Sequence, residues 1–482
     1  MNVLFVSPEV SPFARTGGLG EVVGSLPSAL KKAGTDARIL CPLHKCCKDL
    51  PVKVLAGKIQ FNSNRKEIIS RIAILDQNRS KIPIYFLVND KLFSRDGIYS
   101  DTNGDYSDNW LRSFVLSHAA TQIEKILSWQ PDIIHAHDWM TAPACGFLNA
   151  KNGRYKSKNR QASILTIHNL EHQGVFPGDY FTLSGLPANY WGIDGFEHYG
   201  NLNLLKGGIQ HAHKITTVSP TYSSEIKTKI FGHGLEESLK FRAGDLLGIL
   251  NGIDEENWNP MEDSAIPSII NPHKPLSGKS KCKKHILKEF GLNSTKNLPL
   301  FGVVSRLYEQ KGLDLLLKEL NRLLQPNNAL FCILGSGAKE QEEQFKNFAR
   351  KHPSYIGVKI GFDDALARRI FAGSDFFIMP SRFEPCGLAQ QYAMKYGAVP
   401  IARNTGGLSD TIISPHCDKA NANGYLFDKI NSNTLRLTIE KAIEDWNNGK
   451  NFKKMQKNAM SIECSWSKAA IEYQQVYRWS LN

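Results

Sequence analysis

Two basic residues, Arg306 and Lys311, stand five positions apart in "SRLYEQKG" (305–312), where an apolar run gives way to a helical pattern. Two cations at such a turn could clamp a diphosphate and stabilise negative charge developing on a leaving group. In "SRFEPCGLAQ" (381–390), Glu384 precedes Cys386, Gly387 and Leu388 at the start of a helix. That carboxylate could bond sugar hydroxyls, or it could cap the helix. "NTGGLSD" (404–410) sets Thr405, Gly406 and Gly407 at a further helix start, a second candidate anion nest. In the first half, "ARTGGLGEVVGSLPSAL" (14–30) puts Arg15, Gly17, Gly18 and Gly20 between an apolar run and a helix. Glycine lets backbone approach a ligand closely, and a helix N-terminus offers free N–H donors to an anion. "HAHDW" (135–139) sets Asp138 beside Trp139, a carboxylate and an aromatic face that suit sugar hydroxyls and C–H surfaces. His135 and His137 share one face of a strand, but further ligands at usable spacing are missing, so no metal is expected. His168 closes "SILTIH", where a sugar contact and an ordinary buried histidine are both open readings.

Two familiar phosphate loops fail on these residues. A dinucleotide fingerprint needs a third glycine where Val23 stands and an acid ending the next strand, which here ends in Cys41 and Pro42. The Gly-Lys-Ser at 278–280 has His273 where a Walker loop needs its first glycine.

Five of these clusters, Arg15 to Gly20, "HAHDW", "TIHNLEHQG" (166–174), "SRLYEQKG" and "SRFEPCGLAQ", sit at the ends of strand-like runs. In the first half such runs cover Val3 to Ser7, Ala37 to Leu40, Ile82 to Val88, Ile133 to His135 and Ser163 to Ile167. In the second half "LFGVVS", "ALFCIL", "YIGVKIG" and "DFFIMPS" alternate with helical patterns beginning near Gly312, Lys339, Asp364 and Gly387. The alternation predicts two α/β domains, each a doubly wound parallel sheet, with ligands outside the carboxyl ends of the strands and chemistry in the cleft between them. We place the domains at 1–247 and 248–460, with a C-terminal helix over 461–482. Pro27 inside the first helical pattern predicts a kink or a late start. The stretch from Asp254 to Asn297, rich in Pro, Asn and Lys, reads as an insertion or irregular loops within the second domain, with its basic run at 273–291 on a solvated surface.

With 482 residues the chain exceeds one ordinary core and fits about three units or two large ones. At 41% hydrophobic and 22% charged residues it is globular, without a signal-peptide core or membrane span, and cytoplasmic localisation is the expectation. Nine cysteines without a C-x-x-C spacing read as reduced thiols. The net charge of +13 raises nucleic-acid binding, but the basic run lacks interleaved aromatics, so no nucleic-acid partner is expected. Together the features describe a phosphate-bearing donor and a polyhydroxyl acceptor: transfer of a sugar from a nucleotide diphosphate.

The ordered set "ARTGGLGEVVGSLP", "HAHDW", "TIHNLEHQGVF", "NLLKGGI", "TTVSPTYSSEI", "GILNGID", "VSRLYEQKGLDLL", "PSRFEPCGLAQQYAMKYGAVPIARNTGGLSDT" and "NGYLF" spans essentially the whole chain. It resembles the bacterial glycogen synthases and plant starch synthases of glycosyltransferase family 5. The resemblance implies a GT-B fold whose last helix crosses back to the N-terminal domain. It implies retaining transfer of glucose from ADP-glucose, a substrate and not a cofactor, to the nonreducing 4-hydroxyl of an α-1,4-glucan. By position the family's donor loop falls on Arg15, Gly17 and Gly18, its sugar-contacting histidine on His168, its phosphate-binding cations on Arg306 and Lys311, and its motif glutamate on Glu384. Asp138 matches the acid on the acceptor side, Asn251 the asparagine of "NGID", and Phe362 the aromatic that stacks on the donor base. Cys386, Gly387, Leu388, Thr405, Gly406 and Gly407 fall on the donor side. The chain departs from the family pattern in carrying arginine for lysine at Arg15, glutamate for aspartate at Glu21, and methionine for a common histidine at Met140. Alternatives within the fold are a UDP-glucose donor, a different acceptor, or an inactive glucan-binding homologue. A phosphorylase would need a pyridoxal-phosphate lysine that the motifs do not identify.

Overall fold

A computed structural model describes residues 1–63, 66–153, 161–293, 297–325 and 328–482. They cluster into two compact units, Met1–Gly252 with Trp466–Asn482, and Ile253–Ser465.

The first unit is built on one sheet. Seven parallel strands run in the order Leu246–Gly248, Lys214–Thr217, Ala162–Ile167, Ile133–His137, Asn2–Val6, Asp36–Pro42 and Ile84–Val88. Lys66–Leu75 and Val52–Val54 extend it with antiparallel pairing. Ala162–Ile167 is buried at every position, as expected of a parallel strand covered on both faces, and its two polar residues, Ser163 and Thr166, are buried with it. The first helix, Gly18–Lys32, buries Leu19, Val22, Val23, Leu26 and Leu30. It starts at Gly18 and carries Pro27 in its interior, so there is no late start; the proline leaves the Val23 carbonyl without its helical donor. The C-terminal helix, Trp466–Leu481, shares that core through Trp466, Ala470, Tyr473, Val476 and Tyr477. Gln474 fastens it by donating to the Ala33 carbonyl at 2.7 Å and to Thr35 Oγ1 at 3.0 Å.

The second unit holds six parallel strands in the order Ile356–Ile360, Leu330–Gly335, Leu300–Val304, Phe376–Met379, Val399–Arg403 and Tyr425–Phe427. Its most amphipathic helix, Leu313–Leu324, buries Leu313, Leu316, Leu320 and Leu323, spaced three and four apart on one face.

The structure corrects the reading of 254–297 as irregular loops. Pro275–Glu289 is a helix opened by Pro275 at its first position. Two lysines of its basic run are not solvated. Lys279 is 6% exposed and donates to the carbonyls of Phe371, Ser374 and Tyr396 at 3.3, 2.6 and 3.0 Å. Burial lowers its pKa to about 8. Lys283 pairs with Asp375 at 2.6 Å and donates to the Leu298 carbonyl at the same distance. Of these lysines, Lys279 is a buried donor to carbonyls and Lys283 a half-buried one shared between a carbonyl and a carboxylate.

Candidate functional site

In the first unit the glycine loop follows the first strand. Gly17 caps the helix in extended backbone, φ −166°, and no side chain caps the helix. A Cβ at Gly17 would meet nothing within 4 Å, whereas one at Gly20 would lie 2.8 Å from Arg15 Cβ. Gly20 is therefore a packing glycine, and Gly17 leaves an open face where the first-turn amides lack helical acceptors. The loop is held from beneath by Glu9, 3% exposed. Its carboxylate accepts from the Thr16 amide at 2.7 Å, Thr16 Oγ1 at 2.8 Å, the Gly17 amide at 3.3 Å and the Tyr99 hydroxyl at 2.7 Å. Glu9 was legible only as an acid soon after a strand; Tyr99, 90 positions away, carried no signal. Arg15 and Glu21, two departures from the family motif, form an ion pair with each other. The longer arginine is matched by the longer acid.

Strands Ile133–His137 and Ala162–Ile167 pair with Thr166 opposite His137, so Asp138 and His168 emerge side by side at their carboxyl ends. Asp138 adopts a left-handed φ of 56°, a conformation that Asp and Asn tolerate better than most residues. Its amide donates to the Thr166 carbonyl at 3.0 Å, and its Oδ1 accepts from the His168 amide at 2.6 Å. Burial pushes its pKa up to about 7 against the opposing pull of the His168 and Asn169 amides, and the Glu9 charge adds to the rise. Burial also holds His168 down to about 3, so the imidazole is neutral. His168 Nε2 lies 2.9 Å from His137 Nδ1. His135 joins Tyr477 Oη at 2.9 Å through Nδ1 and Thr166 Oγ1 at 2.6 Å through Nε2. Both its nitrogens thus belong to the frame. Trp139 is fixed by a close backbone approach, since a Cβ at Gly174 would lie 2.4 Å from its Cε3. Met140 is fully buried. Asn251 lies in this unit, 5% exposed, after the strand Leu246–Gly248.

In the second unit a cavity of about 180 Å³ opens at the carboxyl ends of the strands; Arg306, Lys311, Ser381, Glu384, Gly387 and Leu388 are among its lining residues. Lys311 Nζ meets Glu384 Oε2 at 2.6 Å, and Ser381 Oγ donates to the same oxygen at 3.0 Å. Glu384 is 6% exposed, and those two donors offset the desolvation of the oxygen they share. Arg306 Nη2 reaches Gln310 Oε1 at the long distance of 3.5 Å. The chain turns from Lys311 into the helix Leu313–Leu324 at Gly312, whose φ is 64° and whose Cβ would lie 2.0 Å from the Pro380 carbonyl oxygen. The two glycine motifs of this unit pack on one another. A Cβ at Gly406 would lie 2.0 Å from the Glu384 carbonyl oxygen, one at Gly407 2.2 Å from that of Cys386, and the Gly407 amide donates to Glu384 O at 3.1 Å. This corrects the reading of 404–410 as an open anion nest: Gly406 and Gly407 are buried and shape the loop carrying Glu384. Thr405 is likewise buried, at 1%. Phe362, 81% exposed, stands after the strand Ile356–Ile360. Cys386 is buried with Gln390 Nε2 donating to its carbonyl at 3.1 Å.

Each unit thus brings its sequence-predicted residues to one end of one sheet. Among the described residues no group of three or more His, Cys, Asp or Glu is placed to hold a metal ion, and no helix is long and apolar enough to cross a membrane.

Residues 2–241 match the starch synthase catalytic domain, and residues 286–460 match the glycosyl transferases of group 1. The chain is 40% identical to a glycogen synthase of Geotalea daltonii over 99% of its own length and 98% of that protein's. It is 41% identical to a glycogen synthase of Dechloromonas aromatica with the same coverage. Among solved structures, the catalytic domain of starch synthase IV from Arabidopsis thaliana, bound to ADP and acarbose, matches with a TM-score of 0.89 at 31% identity, covering 99% of both chains. A sucrose-phosphate synthase from Thermosynechococcus elongatus shares the fold, with a TM-score of 0.60 at 13% identity. The chain belongs to the glycogen and starch synthases, two-domain glycosyltransferases of the GT-B fold.

Proposed function

We propose that the chain transfers glucose from ADP-glucose, with retention, to the nonreducing 4-hydroxyl of an α-1,4-glucan, without a cofactor. The observation that carries this reading is the cavity in which Arg306 and Lys311 converge with a buried Glu384. Cations there stabilise the diphosphate as the bond from glucose C1 to its phosphate oxygen breaks. The new bond from C1 to the acceptor O4 forms on the same face, and the acceptor proton passes to an oxygen of the departing phosphate. Glu384 Oε2 is engaged by both Lys311 and Ser381, which supports an orienting role over a nucleophilic one. In the first unit the Gly17–Gly18 loop accepts the donor, His168 contacts the sugar, and Asp138, whose pKa of about 7 leaves it near half ionised at neutral pH, faces the acceptor. Arg15, Asn251, Phe362, Cys386, Gly387 and Leu388 bind or frame the donor in this reading, while Thr405, Gly406 and Gly407 act through the loop that carries Glu384. ADP in the related starch synthase structure supports the adenine nucleotide.

The test is incubation of purified protein with glycogen and either ADP-glucose or UDP-glucose, following nucleotide diphosphate release and glucan elongation together. Release with elongation from ADP-glucose alone is the expected result. Elongation from UDP-glucose alone overturns the donor assignment, and silence with both overturns the reaction.

A further inference from the structure

His137 is fully buried, and its ring has two differently placed nitrogens. Nδ1 lies 2.9 Å from His168 Nε2. Nε2 is sealed from solvent and has no hydrogen-bond partner among the described residues. The rings around it offer none: Phe5 stacks at 5.3 Å between centroids, and His135, at 4.3 Å, directs both nitrogens to Tyr477 and Thr166. Burial holds both His137 and His168 well below the usual histidine range, so each ring carries one proton. One proton occupies the contact between them, and the question is which ring owns it. Were it on His168 Nε2, His137 would carry its own proton on Nε2, a buried donor without an acceptor. Were it on His137 Nδ1, Nε2 would present only a lone pair, the cheaper of the two defects. The second arrangement leaves the proton of His168 on Nδ1, and His168 is the half-buried member of the pair.

We propose that His137 is a positioning residue that fixes His168 as its Nδ1–H tautomer, so that His168 offers a hydrogen-bond donor to a hydroxyl of the bound sugar. This rests on the sugar-contacting role of His168 and adds the direction of the contact: the hydroxyl accepts. A ring nitrogen without a proton would instead need the hydroxyl to donate.

The direct test is the two-bond nitrogen–proton correlation spectrum of the full chain labelled with ¹⁵N-histidine, with the His168 signals identified by their loss in His168→Gln. The expected result is a protonated Nδ1 and a bare Nε2 on His168; the opposite pattern overturns the proposal. It requires no turnover, so it stands apart from the reaction assigned above. The second test compares His137→Asn with His137→Leu. Asparagine places an N–H near the position of Nδ1, so kcat/KM for the donor should stay within ~3-fold of the parent, while leucine should lose ~10-fold or more. If His137 only packed, leucine would serve this apolar site at least as well as asparagine, and that ranking overturns the proposal. A fully active His168→Ala would overturn the donor role of His168 while leaving its tautomer measurable.

Discussion

Lys311 is asked to do two separable things, and replacing it with methionine tests both. Its Nζ lies 2.6 Å from Glu384 Oε2, with the two side chains 17% and 8% exposed. Methionine keeps the unbranched stem and removes the charge. Among the described residues Glu384 then keeps Ser381 Oγ at 3.0 Å as its one remaining side-chain donor. Leaving a buried carboxylate without its cation costs about 3 kcal/mol. In a unit spanning Ile253–Ser465 that should lower the melting temperature by roughly 6–12 °C. Activity should fall independently, because a lost charge contact to a developing phosphate anion costs about 3 kcal/mol of transition-state stabilisation, or roughly 150-fold in kcat. The double variant Lys311→Met with Glu384→Gln separates the two effects: it removes the stranded charge, so most of the thermal loss should be recovered while activity stays low. The assays are differential scanning fluorimetry and nucleotide diphosphate release at saturating donor. If the double variant melts no higher than Lys311→Met alone, the ion pair does not stabilise this loop as described. If Lys311→Met turns over within a few-fold of the parent, Lys311 does not carry the phosphate charge.

Asp138→Asn retains a residue that tolerates the left-handed backbone and an oxygen to accept from the His168 amide. Because the folded pKa of Asp138 is raised to about 7, its contribution to stability is lost as pH rises from the unfolded carboxylate range through about 7; the variant should therefore equal or exceed the parent in melting temperature at pH 8. Its activity should be low and lack the rise through pH 7 expected of the parent, whereas a parent profile flat from pH 6 to pH 8 would argue against an ionised Asp138 in turnover. Gly406→Ala drives a Cβ to 2.0 Å from the Glu384 carbonyl oxygen at a φ of 46°, so it should destabilise by about 2 kcal/mol or more and lower activity through Glu384; an unchanged melting temperature would refute that packing. Lys279→Met leaves three carbonyls without their shared donor and should cost about 2–4 kcal/mol in unfolding free energy by urea titration, with donor KM unchanged. Tyr477→Ala removes a fully buried ring from the core shared with the first helix and should cost about 3–5 kcal/mol in the same titration.

Much of this protein was determined by the sequence itself, because parallel strands and their helices are specified locally. A buried strand such as "LFCILG" has to be apolar on both faces, and a helix such as "LDLLLKELNRLL" has to carry its leucines on one stripe, so both are readable without a partner. A parallel sheet then sends every strand's carboxyl end the same way, which is why Asp138, His168, Arg306 and Glu384 could be picked from their positions alone. What only the tertiary structure decided are the partners across long separations. The four donors converging on Glu9, the contact of His137 with His168, and the packing of Gly406 against Glu384 depend on register and loop geometry, which no local pattern encodes. The same holds for Lys279 and Lys283. A basic run looks like a solvated face until the fold brings the carbonyls of Phe371, Ser374 and Tyr396 and the carboxylate of Asp375 against it, and buried carbonyls need donors wherever the chain can supply them.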